Sequence, residues 1–354
     1  MRLAGRMITV AEHFDLPALD RLRDLWRDLW WKTPNASFFQ SFEAFDRLCT
    51  HARPGERPCV FVVSVSGRPV GLAPWVEKTV RGRLGRLRVL TDGDAGLSLS
   101  RGPLGTNPRL TLEAVTEYTE RHRRWDGIEL RHVEIGHSDD AQSNRRFDPA
   151  ESQGTLEDSR VLIECRGDWV RYLRALPAHI RERYQDSERL FETKGRLECL
   201  RYRPEGSSLH DDDPRWDLFG EIEQAERQLG NEFERQDLLH DLHKTAASIA
   251  GIDMNLLRLD GRLIAWSYNY RCDGRIEVER LRGAGEFAIA AERVLLGRML
   301  CDGFRRGDES YLFDRQASQT AAGWRTGRAN RYRRVQYPRQ GARLVRALAG
   351  AFTR

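Results

Sequence analysis

From residue 254 onward the apolar and polar positions fall into a legible order. Residues 254–259 read as a strand. Asp260-Gly261 follows, a favoured hairpin turn because glycine takes positive φ without a Cβ clash. Residues 263–270 read as a second strand, Asp273-Gly274 as another turn, and 275–281 as an alternating third strand. Gly283-Ala284-Gly285 then breaks the pattern. Val294, Leu295, Met299, Leu300 and Phe304 recur at helical spacing and predict a helix over 289–306, which Gly307 is placed to end. Residues 310–314 (SYLFD) close the series as a short strand.

The first half repeats this order. Strands are predicted over 59–65, 70–80 and 84–90, and two glycine-containing loops follow at 92–96 and 101–105. A helix over 109–123, opened by Asn107-Pro108, leads through Gly127 into a strand over 128–135. The supersecondary order occurs twice without detectable residue identity, which argues for an ancient duplication. The polar stretch 138–159 reads as a linker or long loop. The expected organisation is one α/β domain over 1–145, a linker over 146–160, and a second α/β domain over 161–345. Within the second, 169–195 is predicted helical, with a very basic later part running through Arg181, Arg183, Arg189 and Lys194 towards Arg201. Residues 204–214 form a loop carrying Asp211-Asp212-Asp213, and 216–249 are helical again.

Composition narrows the class. A chain of 354 residues suits about two domains. With 40% hydrophobic and 31% charged residues it can bury real cores. No apolar run approaches the ~18 residues of a membrane helix, and the N-terminal stretch lacks the apolar core of a secretory signal. The net charge of +5 arises from nearly balanced totals, 58 Lys+Arg against 53 Asp+Glu, so a dedicated nucleic-acid surface is not implied. Six singly placed cysteines suggest neither a disulfide framework nor a zinc site, and a reducing cytoplasm is expected.

Four segments carry a family likeness: Trp169-Val170-Arg171-Tyr172-Leu173 with Arg181-Glu182-Arg183-Tyr184; Phe219-Gly220-Glu221-Ile222-Glu223; Leu257-Arg258-Leu259-Asp260-Gly261-Arg262-Leu263-Ile264-Ala265; and Val294-Leu295-Leu296 with Leu312-Phe313-Asp314 ahead of Trp324. In this order they resemble the GNAT acetyltransferase fold, over about residues 35 to 340. In finer detail they resemble the branch named after the cellulose-biosynthesis protein CelD, with paired GNAT-like domains. The chain departs from that branch in three places. Ala290-Ala291-Glu292 stands where a Ser-Pro-Gly-like turn is usual. Residues 315–320 lack a lysine, and Gln224-Ala225-Glu226-Arg227 replaces a Trp-Lys-Gly. The resemblance implies a mixed-sheet α+β fold and an N-acyltransferase that takes acetyl-CoA or another acyl-CoA, with no metal.

Such chemistry needs a phosphate cradle, a base and oxyanion donors. Gly283, Gly285, Ala290, Ala291 and Arg293, around the start of the 289–306 helix, are the candidate donor-binding residues, since small residues at a helix N-terminus let phosphates approach backbone N–H groups. Glu286 and Glu292 beside them oppose a phosphate. Candidate bases are Glu221 and Glu223 by resemblance, and Glu277 and Glu279 by their alternation on one strand. Tyr311 or Tyr332 is a candidate acid for the leaving thiolate. From these the expected catalytic set is Glu223, Glu279 and Tyr311. His240 and His243 share a helix face with acidic neighbours but lack a third ligand at convincing spacing. Trp26, Trp30 and Trp31 sit at helical spacing as core or interface. The basic tail from Arg325 to Arg346 can face a nucleic acid or the donor phosphates. The expected acceptor is a small-molecule or sugar amine. Two alternatives stand beside this: a FemAB-type transferase fed by aminoacyl-tRNA, and a non-catalytic scaffold that keeps the fold.

Overall fold

The computed structural model describes residues 2–3, 6–82, 85–92, 102–122, 124–134, 154–204, 213–231, 235–314 and 317–336. The chain forms two compact units: Met1–Asp158 with Asn330–Arg354, and Ser159–Ala329.

The first unit begins with β1 (Arg2–Leu3) and β2 (Arg6–His13), then α1 (Leu16–Asp20), α2 (Arg23–Trp31) and α3 (Phe42–Thr50). Trp26 and Trp30 are buried one turn apart on α2, while Trp31 points outward, 57% exposed. The Trp26 ring packs on Phe42 and Phe45 of α3, and both buried indoles donate to backbone carbonyls, Trp26 to Gln40 and Trp30 to Ser37. A buried indole N–H left without an acceptor costs about 1–3 kcal/mol, so these bonds fix the turn between α2 and α3. The strands β3 (Glu56–Val65), β4 (Arg68–Gly82) and β5 (Gly85–Thr91) follow as an antiparallel meander. Two-residue β6 (Leu104–Gly105) pairs with β4. Helix α4 (Pro108–His122) crosses to β7 (Gly127–Glu134), which runs parallel to β5. Phe61, Trp75, Val115 and Trp125 are central to the core.

The second unit opens with β8 (Gly154–Glu164), α5 (Trp169–Ala175), α6 (Ala178–Glu192) and β9 (Leu197–Tyr202). Then come α7 (Trp216–Gln228), α8 (Gln236–Ser248), β10 (Ile252–Leu259), β11 (Arg262–Cys272), β12 (Arg275–Gly283), α9 (Ala288–Arg306), β13 (Ser310–Phe313) and α10 (Ser318–Ala321). The sheet order is β8-β13-β12-β11-β10-β9, antiparallel throughout except for the parallel pair β12 and β13. Side chains alternate across β11 and so identify the two faces. Ser267 and Asn269 reach the Met299 sulfur of α9, whereas Tyr268 packs against Phe219 of α7 and His243 of α8. Helices α5, α6 and α9 therefore cover one face and α7 and α8 the other. The last strand, β14 (Gly327–Gln336), pairs antiparallel with β7 through residues 331–336.

The meander, the long helix and the closing strand lie where the pattern predicts them. Four expectations change. The predicted linker lies in part outside the described residues, and its end is already β8. The predicted helix over 169–195 is two helices, because Pro177 has no N–H with which to continue α5 and instead stands at the N-cap position of α6, where its carbonyl accepts from Ile180 and Arg181. Its basic extension towards Arg201 is a strand. A Cβ on Gly195 would lie 2.2 Å from an Asp260 side-chain oxygen, so the chain turns there, and 197–202 then hydrogen-bonds along the edge of β10. The helical stretch 216–249 is likewise split in two.

Helices α6 and α9 meet at Gly297, where an added Cβ would lie 2.3 Å from a Tyr184 ring carbon. Helix propensity alone favours Gly297→Ala by about 1 kcal/mol. The overpacking costs about 1–3 kcal/mol. We expect a net loss, read as a lower thermal midpoint. A raised midpoint would mean that this helix contact is looser than described.

Candidate active site

The parallel pairing of β12 with β13 spans only four residue pairs, from Arg275↔Ser310 to Val278↔Phe313, and the Asp314 N–H adds a final bond to the Val278 carbonyl. Strand β13 is paired along its whole four-residue length and ends there, whereas β12 continues to Gly283, so beyond Val278 the chain after β13 parts from β12. A bulge marks the same point. On β11, Asn269 faces Val278 while Tyr268 faces Arg280, which leaves Glu279 as the extra residue. A bulge increases local twist, re-aims one side chain and takes a residue out of the ladder.

Glu279 is partly buried at this divergence, and its carboxyl is pushed up to about 8. Burial is the main cause. The Asp314 and Glu277 carboxylates add to it, against the Arg160 and Arg280 guanidiniums. Arg160 is itself buried and lies 3.3 Å from Asp314. Arg280 lies 3.3 Å from Glu226, a fully buried carboxylate that also accepts from the Trp266 indole at 2.9 Å and from Asn231 at 2.9 Å. Glu277 is paired with Arg275 at 3.1 Å. Burial at the bulge thus leaves Glu279 suited to take a proton near neutral pH.

Glu223 occupies a different position. It is buried between α7 and α8, where its carboxylate accepts from the His240 ring at 2.9 Å and from Gln236 at 3.4 Å. Its effect on any ligand therefore passes through His240, whose ring is exposed beside Trp216. Glu221 is held by Arg258. His243 is a core residue. It donates to the Pro214 carbonyl at 2.7 Å, lies 3.1 Å from the Tyr268 hydroxyl, and is lowered to about 4 by burial. Among the described residues no three His, Cys, Asp or Glu side chains are grouped to hold a metal. The 211–212 carboxylates, the Tyr332 side chain and the basic tail beyond residue 336 lie outside the described residues.

The expected role of Tyr311 is corrected by its surroundings. The side chain is fully buried, and its hydroxyl donates to Asp308 at 2.5 Å and accepts from Arg201 at 2.9 Å. A departing thiolate has no path to it. Tyr311 belongs to a buried network that sequence reasoning missed. Arg201 and Arg203, on or beside the edge strand β9, converge on Asp253, each at 2.6 Å, and Arg203 also grips Asp308 at 2.6 Å. Burial works against the charge on Arg201, but Asp253, Tyr311, Asp308 and Asp302 hold its proton above the usual arginine range. The only sequence signal was the alternation of Arg201 and Arg203, which by itself reads as a solvated edge.

The candidate donor residues gather at the start of α9. Gly285 has φ +77°, and a Cβ on Gly283 would lie 2.1 Å from the Ala288 carbonyl oxygen, so both glycines are required by the backbone. Ala291 is buried in the core, Ala290 packs against it, and Arg293 is partly exposed. The first turn of α9 has no side-chain cap. Lys194 brings a cation to within 5.1 Å of the Phe287 ring at the same end. Glu292 has turned inward, where its carboxylate accepts from the Gly283 N–H at 3.0 Å and from the Thr320 hydroxyl. One of the N–H groups expected to cradle a phosphate is therefore already bonded to an anion of the chain itself.

No protein-family model matches the chain, and no curated protein matches it. Solved structures do. The crystal structure of FemX is 10% identical, with 90% of this chain and 96% of that chain covered and a TM-score of 0.55. A conserved protein of unknown function from Bacteroides thetaiotaomicron VPI-5482 is 10% identical over 91% and 99%, with a TM-score of 0.53. A tandem GNAT protein from the clavulanic acid biosynthesis pathway, without AcCoA, is 11% identical over 93% and 99%, with a TM-score of 0.48. At such identities the likeness concerns the fold. The chain is a mixed α/β protein that shares its overall fold with FemX and with the Bacteroides protein.

Asp253 is the shared carboxylate of two buried guanidiniums. Its replacement in Asp253→Asn leaves them under-compensated, at a cost of about 3–5 kcal/mol. Urea titration should show an unfolding free energy lower by about that amount, and an unchanged midpoint would show that the network carries no stability.

Proposed function

We propose that the protein is an N-acyltransferase whose acyl donor enters where β12 and β13 part, with Glu279 as general base. The observation that carries this reading is the coincidence of three features at one point: the strand divergence, the bulge, and a carboxyl raised to about 8. The incoming amine is protonated at neutral pH and must lose a proton before it attacks. A base with a pKa near the working pH accepts that proton efficiently. The amine nitrogen bonds to the donor carbonyl carbon, the tetrahedral intermediate collapses with breaking of the C–S bond, and the thiolate leaves with the proton that the newly cationic nitrogen gives up. A backbone N–H freed from the ladder by the bulge supplies a hydrogen bond to the oxyanion.

The first donor to test is acetyl-CoA or another acyl-CoA, with its phosphates at the first turn of α9 near Gly285, Ala290 and Arg293 and within reach of Lys194. The acceptor is a small-molecule or sugar amine. The finer likeness to the CelD branch supports a place in polysaccharide or cell-envelope metabolism, on the cytoplasmic side. Glu223 positions His240 on α8 in this reading. A second donor, aminoacyl-tRNA, is favoured by one observation: the Glu292 carboxylate on the Gly283 N–H repels a phosphate at that point.

Calorimetric titration with acetyl-CoA and CoA at low salt tests the donor. Binding is expected to weaken in Arg293→Glu, since the Arg293 side chain is partly exposed near the start of α9, and to tighten in Glu292→Gln. No binding by either ligand would turn the reading to aminoacyl-tRNA or to a scaffold.

The base has a pH signature. With a cognate amine, kcat/KM should rise with pH towards a plateau above about 8, and Glu279→Gln should lose about 10²–10⁴-fold. Stability runs the opposite way. The folded protein keeps a proton on Glu279 that the unfolded chain releases between 4.5 and about 8, so this group's contribution falls as pH rises through that window. The Gln variant should lack that part of the fall in unfolding midpoint. Identical pH profiles for variant and wild type would remove Glu279 from the mechanism.

A further inference from the structure

At the end of the second unit's sheet away from the start of α9, a cavity of about 560 Å³ opens between the β11–β12 turn and the end of α9. Its walls include Arg203, Arg271, Arg306, Asp273, Asp308 and Glu309. Most of this charge is internally matched. Arg203 is bonded to Asp253 and Asp308, and Arg306 to Asp302 at 2.7 Å. Arg271 is different. Its guanidinium makes no hydrogen bond or ion pair among the described residues, and its Nε is buried without a partner. A buried donor left unmade costs about 1–3 kcal/mol. Asp273 and Glu309 are exposed at the same cavity and have no cationic partner among the described residues. Neither carboxylate is paired with Arg271 in the structure. Asp273 sits in the tight turn at φ +44°, and Glu309 is laid over Gly274, where an added Cβ would meet its Cγ at 2.9 Å. The Glu309 N–H is bonded to the Gly274 carbonyl at 2.8 Å, which ties the two carboxylate-bearing segments together.

A simple anion placed on Arg271 would meet three carboxylates, and a simple cation would meet three guanidiniums. A ligand with one charge of each sign satisfies both sides. We propose that this cavity binds a free α-amino acid, its carboxylate on Arg271 and its ammonium between Asp273 and Glu309. A guanidinium presents parallel N–H groups that match a carboxylate, and the volume lies within the usual ~300–1,000 Å³ range of small-molecule sites. The site is separate from the β12–β13 divergence and stands whether or not that region transfers acyl groups.

The test is calorimetric titration of the full chain with each standard α-amino acid. The controls are the decarboxylated amine and the deaminated acid of the best binder. At least one amino acid should bind, and binding should weaken about tenfold or more in Arg271→Gln and in Glu309→Gln. Both controls should fail to bind up to about 10 mM. Glu309 is exposed, so its variant keeps the test decisive if Arg271→Gln unfolds. The proposal is overturned if no amino acid binds by about 10 mM, if either control binds as well as the zwitterion, or if Glu309→Gln binds like the wild type.

Discussion

Strand β12 must satisfy two neighbours that ask different things of it. Along β11 it pairs from the turn at Gly274 to Gly283, and along β13 it pairs for only four residues. The bulge at Glu279 reconciles them. It gives β12 one residue more than β11 and adds twist where β13 ends. That one extra residue takes Glu279 out of the β11 ladder and places its carboxylate where the pairing with β13 ends.

The two faces of the second unit are built on different terms. The α7–α8 face stacks aromatic rings, Phe219 on His243 and then Tyr268, over a buried Glu226 whose oxygens all find donors. The α9 face has an apolar core on one side and the Arg201, Arg203, Asp253, Asp308 and Tyr311 network on the other. Removing an isolated charge from water is expensive, and only the convergence of several partners makes such a cluster tolerable. Satisfied in this way, it locks β9, β10, β13 and the end of α9 to one another.

Much of the fold was legible because its turns are local. Asp260-Gly261 and Asp273-Gly274 announce the meander, and Gly307 ends α9 within its own neighbourhood. Strand β9 was not legible. Its polar sequence, LECLRY, suits an edge, and only pairing with β10 makes it a strand. Helices α1 and α3 left little trace beyond the tryptophan stripe of α2. At the site, Glu277 to Arg280 read as plain alternation, because a bulge depends on the register of the partner strand. Tyr311 reads as an amphipathic residue on a short strand, and its true partners, Arg201 and Arg203, lie far away in sequence. The inward turn of Glu292 depends on Thr320, a residue from a later helix.

The path of β14 has a consequence for how the molecule is made. Strand β7 has β5 on one side and takes residues 331–336 on the other. Those residues are synthesised after the whole second unit, which is continuous in the chain. On the ribosome, the second unit has all its parts before the first can close its sheet, and β7 waits with an open edge that invites non-native pairing. Any expression fragment ending before residue 331 would keep that edge exposed, so the portion of the chain that looks separable at its start is the portion least suited to being cut out.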